Sequence, residues 1–182
     1  MVHPLASGGW TAEVIAAIPD NGLRYELSDG NLLETPPPSV RHALTQDRLT
    51  AVLKRAAPPH VVVIDAGIGV GIGASYFIPD VVVLQAAALK STKDLLHPAD
   101  VPLVVEVLSP TTRRVDLGLK REAYSAAGIP DYWIVDRDAR EVTMLALADR
   151  WPDYDLTAVI KPGLRYRVDR PFPVEVDPAD FC

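Results

Sequence analysis

Val101-Pro-Leu-Val-Val-Glu-Val-Leu108 is an apolar run that stops at Ser109-Pro110 and holds one carboxylate, Glu106. Consecutive rather than alternate apolar positions, over this length, predict a strand buried on both faces. Phe77-Ile-Pro-Asp-Val-Val-Val-Leu84 has the same character and places Asp80 inside a second strand. An ionised carboxylate withdrawn from water costs several kcal/mol even after relaxation, so two of them here call for a cation, a proton or a solvent-filled cleft. A divalent metal meets that need most simply. Neighbouring strands lie about 4.8 Å apart, so Asp80 and Glu106 reach one ion if they point to the same face. Hard oxygen donors suit Mg2+ or Mn2+. The competing reading is an ordinary salt bridge or an exposed carboxylate, because structural ion pairs carry the same sequence signature.

Outward from these strands, the chain alternates helix and strand signals. Thr11 is an N-cap candidate for a short helix over residues 10–18, broken by Pro19-Asp-Asn-Gly22. Leu23–Leu27 and Asn31–Glu34 flank Ser28-Asp-Gly30 and predict a β-hairpin, which Pro36-Pro-Pro38 ends. From Ser39 to Ala57, Val40, Leu44, Leu49, Val52 and Leu53 recur near a 3.6-residue period and predict a helix lying on a sheet. Val61–Val70 and Tyr76–Leu84 read as two neighbouring strands around a glycine bend. Residues 114–127 read as a helix closed by Gly128-Ile-Pro130, followed by strands at Tyr132–Val135 and Val142–Leu147 around the Asp136–Ala139 turn. A tail of turns and short strands follows. The expected architecture is α/β (α+β), a mixed sheet flanked by helices, in a single domain over residues 1–182 with its core at about 10–150.

Composition narrows the function. The 182 residues are 48% hydrophobic and 23% charged, globular rather than disordered. No apolar run approaches the ~20 residues of a membrane helix, and the first ten residues lack a secretory pattern. A cytoplasmic protein with no membrane partner is expected. A single cysteine, Cys182, excludes an internal disulfide and a cysteine zinc cage, and reads as a mobile terminal thiol. The net charge of −6 counts against broad nonspecific DNA binding, but it leaves room for an acidic site offset by metal and a local basic patch such as Arg113, Arg114, Lys120 and Arg121.

Lys120 follows Glu106 on the helix, and Asp116, Lys120, Ala123, Tyr124 and Ala127 share one helical face. Lys120 could then orient an attacking water or stabilise developing negative charge, while Tyr124 could bond a phosphate or simply pack. Gly67-Ile-Gly-Val-Gly-Ile-Gly73 lacks the P-loop lysine and a following helix, so a strand bend is expected rather than a nucleotide loop. Tyr132 and Trp133 read as core.

Tyr25-Glu-Leu-Ser-Asp-Gly30, Pro79-Asp-Val-Val-Val83, Val105-Glu-Val-Leu-Ser-Pro110, Asp116-Leu-Gly-Leu-Lys120 and Gly128-Ile-Pro-Asp-Tyr-Trp133 occur in one order, from about residue 10 to about 150, and resemble the Uma2 (DUF820) family of restriction endonuclease-like proteins. The resemblance implies a PD-(D/E)XK nuclease core. It makes Asp80 and Glu106 metal ligands together with the backbone carbonyl of Val107, and adds Glu26 as a further acidic catalytic residue. The superfamily pattern expects lysine two positions after the glutamate, where this chain has Leu108; Lys120 on the next helix takes its place. His42, after the proline run, resembles a histidine common at that point in the family and is carried as an accessory residue with Tyr124. The expected function is a Mg2+-dependent DNA endonuclease, with DNA as substrate and a homodimer as the implied assembly. The alternative is a catalytically inactive PD-(D/E)XK domain acting as a self-associating or protein-binding module. Hydrolysis of a small phosphorylated substrate would fit the low basicity, but no phosphate cradle supports it.

Overall fold

Successive side chains of a strand point to opposite faces, so the consecutive apolar runs within Val81–Gln85 and Leu103–Val107 bury residues on both sides of their sheet. The computed structural model describes residues 2–3, 9–11, 14–15, 17–65, 67–92, 94–150 and 152–182. In chain order the elements are β1 (Val2–His3), β2 (Arg24–Ser28), β3 (Asn31–Thr35), helix α1 (Val40–Ala56), β4 (Val61–Asp65), β5 (Gly69–Ile72), β6 (Ser75–Phe77), β7 (Val81–Gln85), β8 (Leu95–Leu96) and β9 (Leu103–Val107). A π-helical segment (Val115–Lys120) then runs into α2 (Arg121–Ala126), followed by β10 (Asp131–Asp136), β11 (Glu141–Leu147), β12 (Tyr154–Ile160), β13 (Tyr166–Val168) and β14 (Val174–Val176).

The expected mixed α+β fold is present, but the strands divide into two six-stranded sheets and a two-stranded β13–β14 sheet rather than one. The first has the order β1-β3-β2-β6-β5-β8 and the second β12-β11-β10-β9-β7-β4. β9 and β10 are parallel, while β7 runs antiparallel to both β9 and β4. In the second sheet Val81, Val83, Leu103, Val105 and Val107 meet Leu49 and Leu53 of α1. The opposite face presents Val82, Leu84 and Val104 to Val70 and Phe77 of the first sheet and to Tyr124 of α2. By the same parity Asp80 and Glu106 belong to this second face.

α1 starts where Ser39 accepts a hydrogen bond from the His42 N–H (3.2 Å), directly after the three prolines, and its last turn carries Lys54 and Arg55 where the helix dipole favours cations. Burying Leu49 and Leu53 completely contributes about 2 kcal/mol each and pins the helix on the sheet. The β2–β3 hairpin forms as expected, with Asp29 (φ 48°) and Gly30 (φ 75°) both left-handed, as a two-residue primed turn requires.

Several expectations need correction. The two strands read over 61–84 are four: β5 and β6 fold back as a hairpin of the first sheet, while β4 and β7 pair in the second. The breaks fall in the glycine string, at Gly67 (φ 95°) before β5 and at Gly73 (φ 58°) between β5 and β6, where left-handed backbone favours glycine. Asp80 lies just before β7 rather than within it. The helix expected over 114–127 begins as a π-helical segment, which a 3.6-residue period cannot signal. β12, read as part of the tail, is an edge strand of the second sheet. Cys182 is half-buried, its N–H bonds Pro178 O at 2.8 Å, and burial pushes its thiol up to about 11. Of the short helix expected over 10–18, residues 12, 13 and 16 lie outside the described residues; Val14 and Ile15 are helical and the Thr11 hydroxyl accepts from the Val14 N–H at 3.3 Å. Tyr132 and Trp133 are core residues, as expected. Among the described residues no helix is long and apolar enough to cross a membrane.

Candidate active site

β7 and β9 pair with Val81 opposite Val105 and Val82 opposite Val104. Continuing that register by one residue sets Asp80 opposite Glu106, on the face that looks toward the π-helical segment. Glu26 arrives from β2 of the first sheet. Glu26, His42, Asp80, Glu106, Asp116 and Lys120 all line one cleft of about 180 Å³, whose lip includes Pro36, Pro37 and Pro38.

Asp80 is held from four directions. Its Oδ2 accepts from the Val107 N–H at 2.8 Å and lies 3.1 Å from His42 Nε2, and its Oδ1 lies 3.4 Å from Arg24 Nη1. Gln46 donates to its backbone carbonyl at 2.8 Å. Burial alone would raise its pKa, but the His42 hydrogen bond and charge, the Val107 N–H and Lys120 outweigh burial and lower it. His42 Nε2 is also 2.9 Å from the Val107 carbonyl oxygen, which has no proton to offer, so Nε2 carries the hydrogen; buried Nδ1 has no partner among the described residues.

Lys120 is the hub of the other half. Its Nζ is 2.9 Å from Glu26 Oε1, 3.0 Å from Glu106 Oε1 and 3.6 Å from Asp116 Oδ1. Burial by itself would depress the ammonium, but Glu106, Glu26 and Asp116 together hold it above the ordinary lysine range. Glu26 Oε1 also accepts from the Ile78 N–H at 2.6 Å. Tyr124 donates to Glu106 Oε1 at 2.8 Å and is wholly buried against Phe77 and Tyr132, so its hydroxyl orients Glu106 rather than reaching a phosphate in the cleft. Burial drives Glu106 well above the usual carboxylate range, against the opposing pull of Lys120, and pushes Asp116 up to about 6.

The chain matches the Uma2 family, described as "Putative restriction endonuclease", over residues 12–178. It belongs to that family. A solved structure with the same fold is that of a nuclease, described as putative and belonging to DUF820, from Anabaena variabilis: 16% identity, TM-score 0.77, covering 94% of this chain and 97% of that one. Comparison with curated proteins finds no match.

Against the Uma2 expectation, Glu26, His42, Asp80, Glu106 and Lys120 all come to one cleft, with the Val107 peptide bonded to Asp80 and His42. Leu108, at the position where the superfamily has lysine, is buried in an apolar cluster. The ammonium of Lys120 reaches Glu106 from the π-helical segment instead. Sequence reasoning missed Arg24, Gln46 and Asp116 as site residues. Asp116 had a signal, its i,i+4 spacing to Lys120; Arg24 and Gln46 had none, since only the tertiary arrangement brings them to Asp80. The basic patch expected from Arg113, Arg114, Lys120 and Arg121 does not form a free surface: Lys120 is buried, Arg113 pairs with Asp136 at 2.7 Å and Arg121 with Asp153 at 3.0 Å.

Proposed function

We propose that this Uma2 protein is a divalent-metal-dependent endonuclease that hydrolyses phosphodiester bonds of DNA. The observation that carries the reading is the β7–β9 register, which aligns Asp80 with Glu106 at a cleft also reached by Glu26 and Lys120. Among the described residues no three His, Cys, Asp or Glu side chains already form a metal-holding group. The donor chemistry nevertheless fits. Asp80, Glu106 and the Val107 carbonyl are hard oxygen donors, and the burial that raises Glu106 in the metal-free protein is a penalty on its ionised form that a bound Mg2+ or Mn2+ would offset. Asp80, Glu106 and Val107 O would hold such an ion, which when bound lowers the pKa of water and offsets phosphodiester charge.

The side chains divide the remaining work. Lys120 holds its proton too tightly to act as a base, so it serves as a hydrogen-bond donor to the attacking water's oxygen or to charge developing on phosphorus-bound oxygen. Glu26 fixes Lys120, and the Ile78 N–H fixes Glu26. His42 steadies Asp80 and the Val107 carbonyl together.

One observation favours the alternative of a catalytically quiet binding module: Lys120 already pairs with Glu26 and Glu106, as in a purely structural ion network. Cleavage separates the readings. Supercoiled, linear, single-stranded and branched DNA are incubated at low salt with Mg2+ or Mn2+, with and without a chelator. Chelator-sensitive cutting is expected. Protein that binds Mn2+ yet cuts none of these substrates overturns the nuclease reading.

A further inference from the structure

α1 carries Arg41, Arg48 and Arg55, each seven residues apart. A seven-residue step returns to within about 20° of the same helical direction, so the three guanidinium groups form one stripe roughly 21 Å long. All three are exposed, and none makes an ion pair among the described residues. Six arginines elsewhere in this chain of net charge −6, at 24, 113, 121, 165, 167 and 170, are each paired with a carboxylate, whereas Arg114, Arg137, Arg140 and Arg150 also make no ion pair among the described residues; of these, Arg137 shares a groove with Arg41 and Arg48.

The stripe is continuous with the cleft. Arg137 lines the cleft and also a neighbouring groove shared with Arg41 and Arg48. Arg48 in turn lines a further groove with Arg55 and Arg165. The acidic residues of these grooves are Asp138, Glu175 and Asp180, of which Arg165 engages Glu175 at 4.0 Å and Asp180 at 3.7 Å. The stripe therefore stays net positive beside an acidic cleft.

We infer that Arg41, Arg48 and Arg55, with Arg137 at the junction, form a track that binds the phosphate backbone of duplex DNA and leads it to the cleft. The inference rests on the nuclease reading for its substrate, but not on cutting for its test. Charge complementarity chooses the occupant: duplex DNA carries one charge per ~1.7 Å of axis, and a spaced row of unpaired guanidinium groups suits such a polyanion, whereas a self-association surface would want an apolar centre. Three or four contacts also suit a chain whose overall charge forbids a broad basic groove.

Binding of a short fluorescein-labelled duplex is followed by anisotropy over a salt series, with Ca2+ replacing Mg2+ to suppress cutting. The Arg41→Gln/Arg48→Gln/Arg55→Gln protein is compared with wild type and with a Lys90→Ala/Arg150→Ala/Lys161→Ala control that removes the same charge elsewhere. Circular dichroism and melting confirm that each is folded. The plot of log affinity against log salt should flatten by about 2.7 in the track variant, about 0.9 per lost phosphate contact, and stay within one contact of wild type in the control. Equal flattening in both variants overturns the track in favour of general charge. No duplex binding by wild type, or a track variant changed only in oligomeric state, also overturns it. Track-dependent binding by a protein that never cuts keeps the track and removes the nuclease reading; cutting with track-independent binding does the reverse.

Discussion

Lys120 Nζ stands 3.0 Å from Glu106 Oε1, with both side chains almost wholly withdrawn from solvent. A buried pair of this kind contributes little net stability compared with an apolar replacement, yet removing one partner leaves the other charged and unsolvated. Lys120→Met should therefore destabilise the metal-free protein by about 3 kcal/mol or more and lower single-turnover cleavage by ~10²-fold or more. Lys54→Ala should stay within about 0.5 kcal/mol, since Lys54 is a half-exposed side chain 3.7 Å from an equally exposed Asp65. Urea melts and single-turnover rates of the two variants check this; equal effects would reduce Lys120 to general charge.

Asp80→Asn and Glu106→Gln should each abolish tight divalent-metal binding while keeping the fold. Asn can still accept from the Val107 N–H, and Lys120 keeps Glu26 and Asp116 when Glu106 is neutralised. Calorimetric titration with Mn2+ gives the answer. Wild-type affinity in either variant would strike that residue from the ligand set.

Tyr124→Phe keeps the ring contacts with Phe77 and Tyr132 but deletes the 2.8 Å hydrogen bond to Glu106. A loss of about 1–2 kcal/mol is expected, because the acceptor is a buried carboxyl oxygen that would lose a partner. A cost below a few tenths of a kcal/mol in denaturant melts would show that the hydroxyl does not hold Glu106.

Asp116 gives the metal-free protein a pH dependence. Burial raises its carboxyl to about 6, against ~3.9 in an unfolded chain. The folded state then binds the proton more tightly than the unfolded one, so this contribution is complete below about pH 4 and disappears as pH rises through about 6. The two-unit difference corresponds to about 3 kcal/mol. Asp131 is also raised to about 6 by burial and acts with the same sign, so the comparison must be with Asp116→Asn. Measured in chelator, the variant should gain on wild type between pH 4 and 7; a flat difference would count against the shifted carboxyl.

The site was legible in sequence where polarity clashed with pattern. Glu106 stands out in a strand of Val and Leu, and Asp80 in a similar run, because burying a charge there needs an explanation. Lys120 was legible only beside the family motif, and Arg24 and Gln46 were silent because their partners are 56 and 34 residues away in sequence. The same limit applied to the fold. Hairpin β2–β3 and α1 announce themselves through local turn and cap chemistry, whereas the division into two sheets depends on which strands pair. The glycines of the Val61–Leu84 run mark where it breaks but do not encode locally which of its strands pair.

The Val107 main chain serves both halves of its neighbourhood: its N–H bonds Asp80 and its carbonyl oxygen meets His42. This chemistry belongs to the main chain, so nineteen of the twenty amino acids supply it equally well. Val107 is itself buried in the apolar cluster against α1, so an apolar replacement such as Ile or Leu should be judged by its volume, while a polar one would also carry the cost of burial. Proline is the exception, since it removes the hydrogen that Asp80 receives. Part of the site's hydrogen-bonding chemistry is thus written in strand register rather than in residue identity, and a one-residue insertion in β9 would erase it more surely than most point mutations.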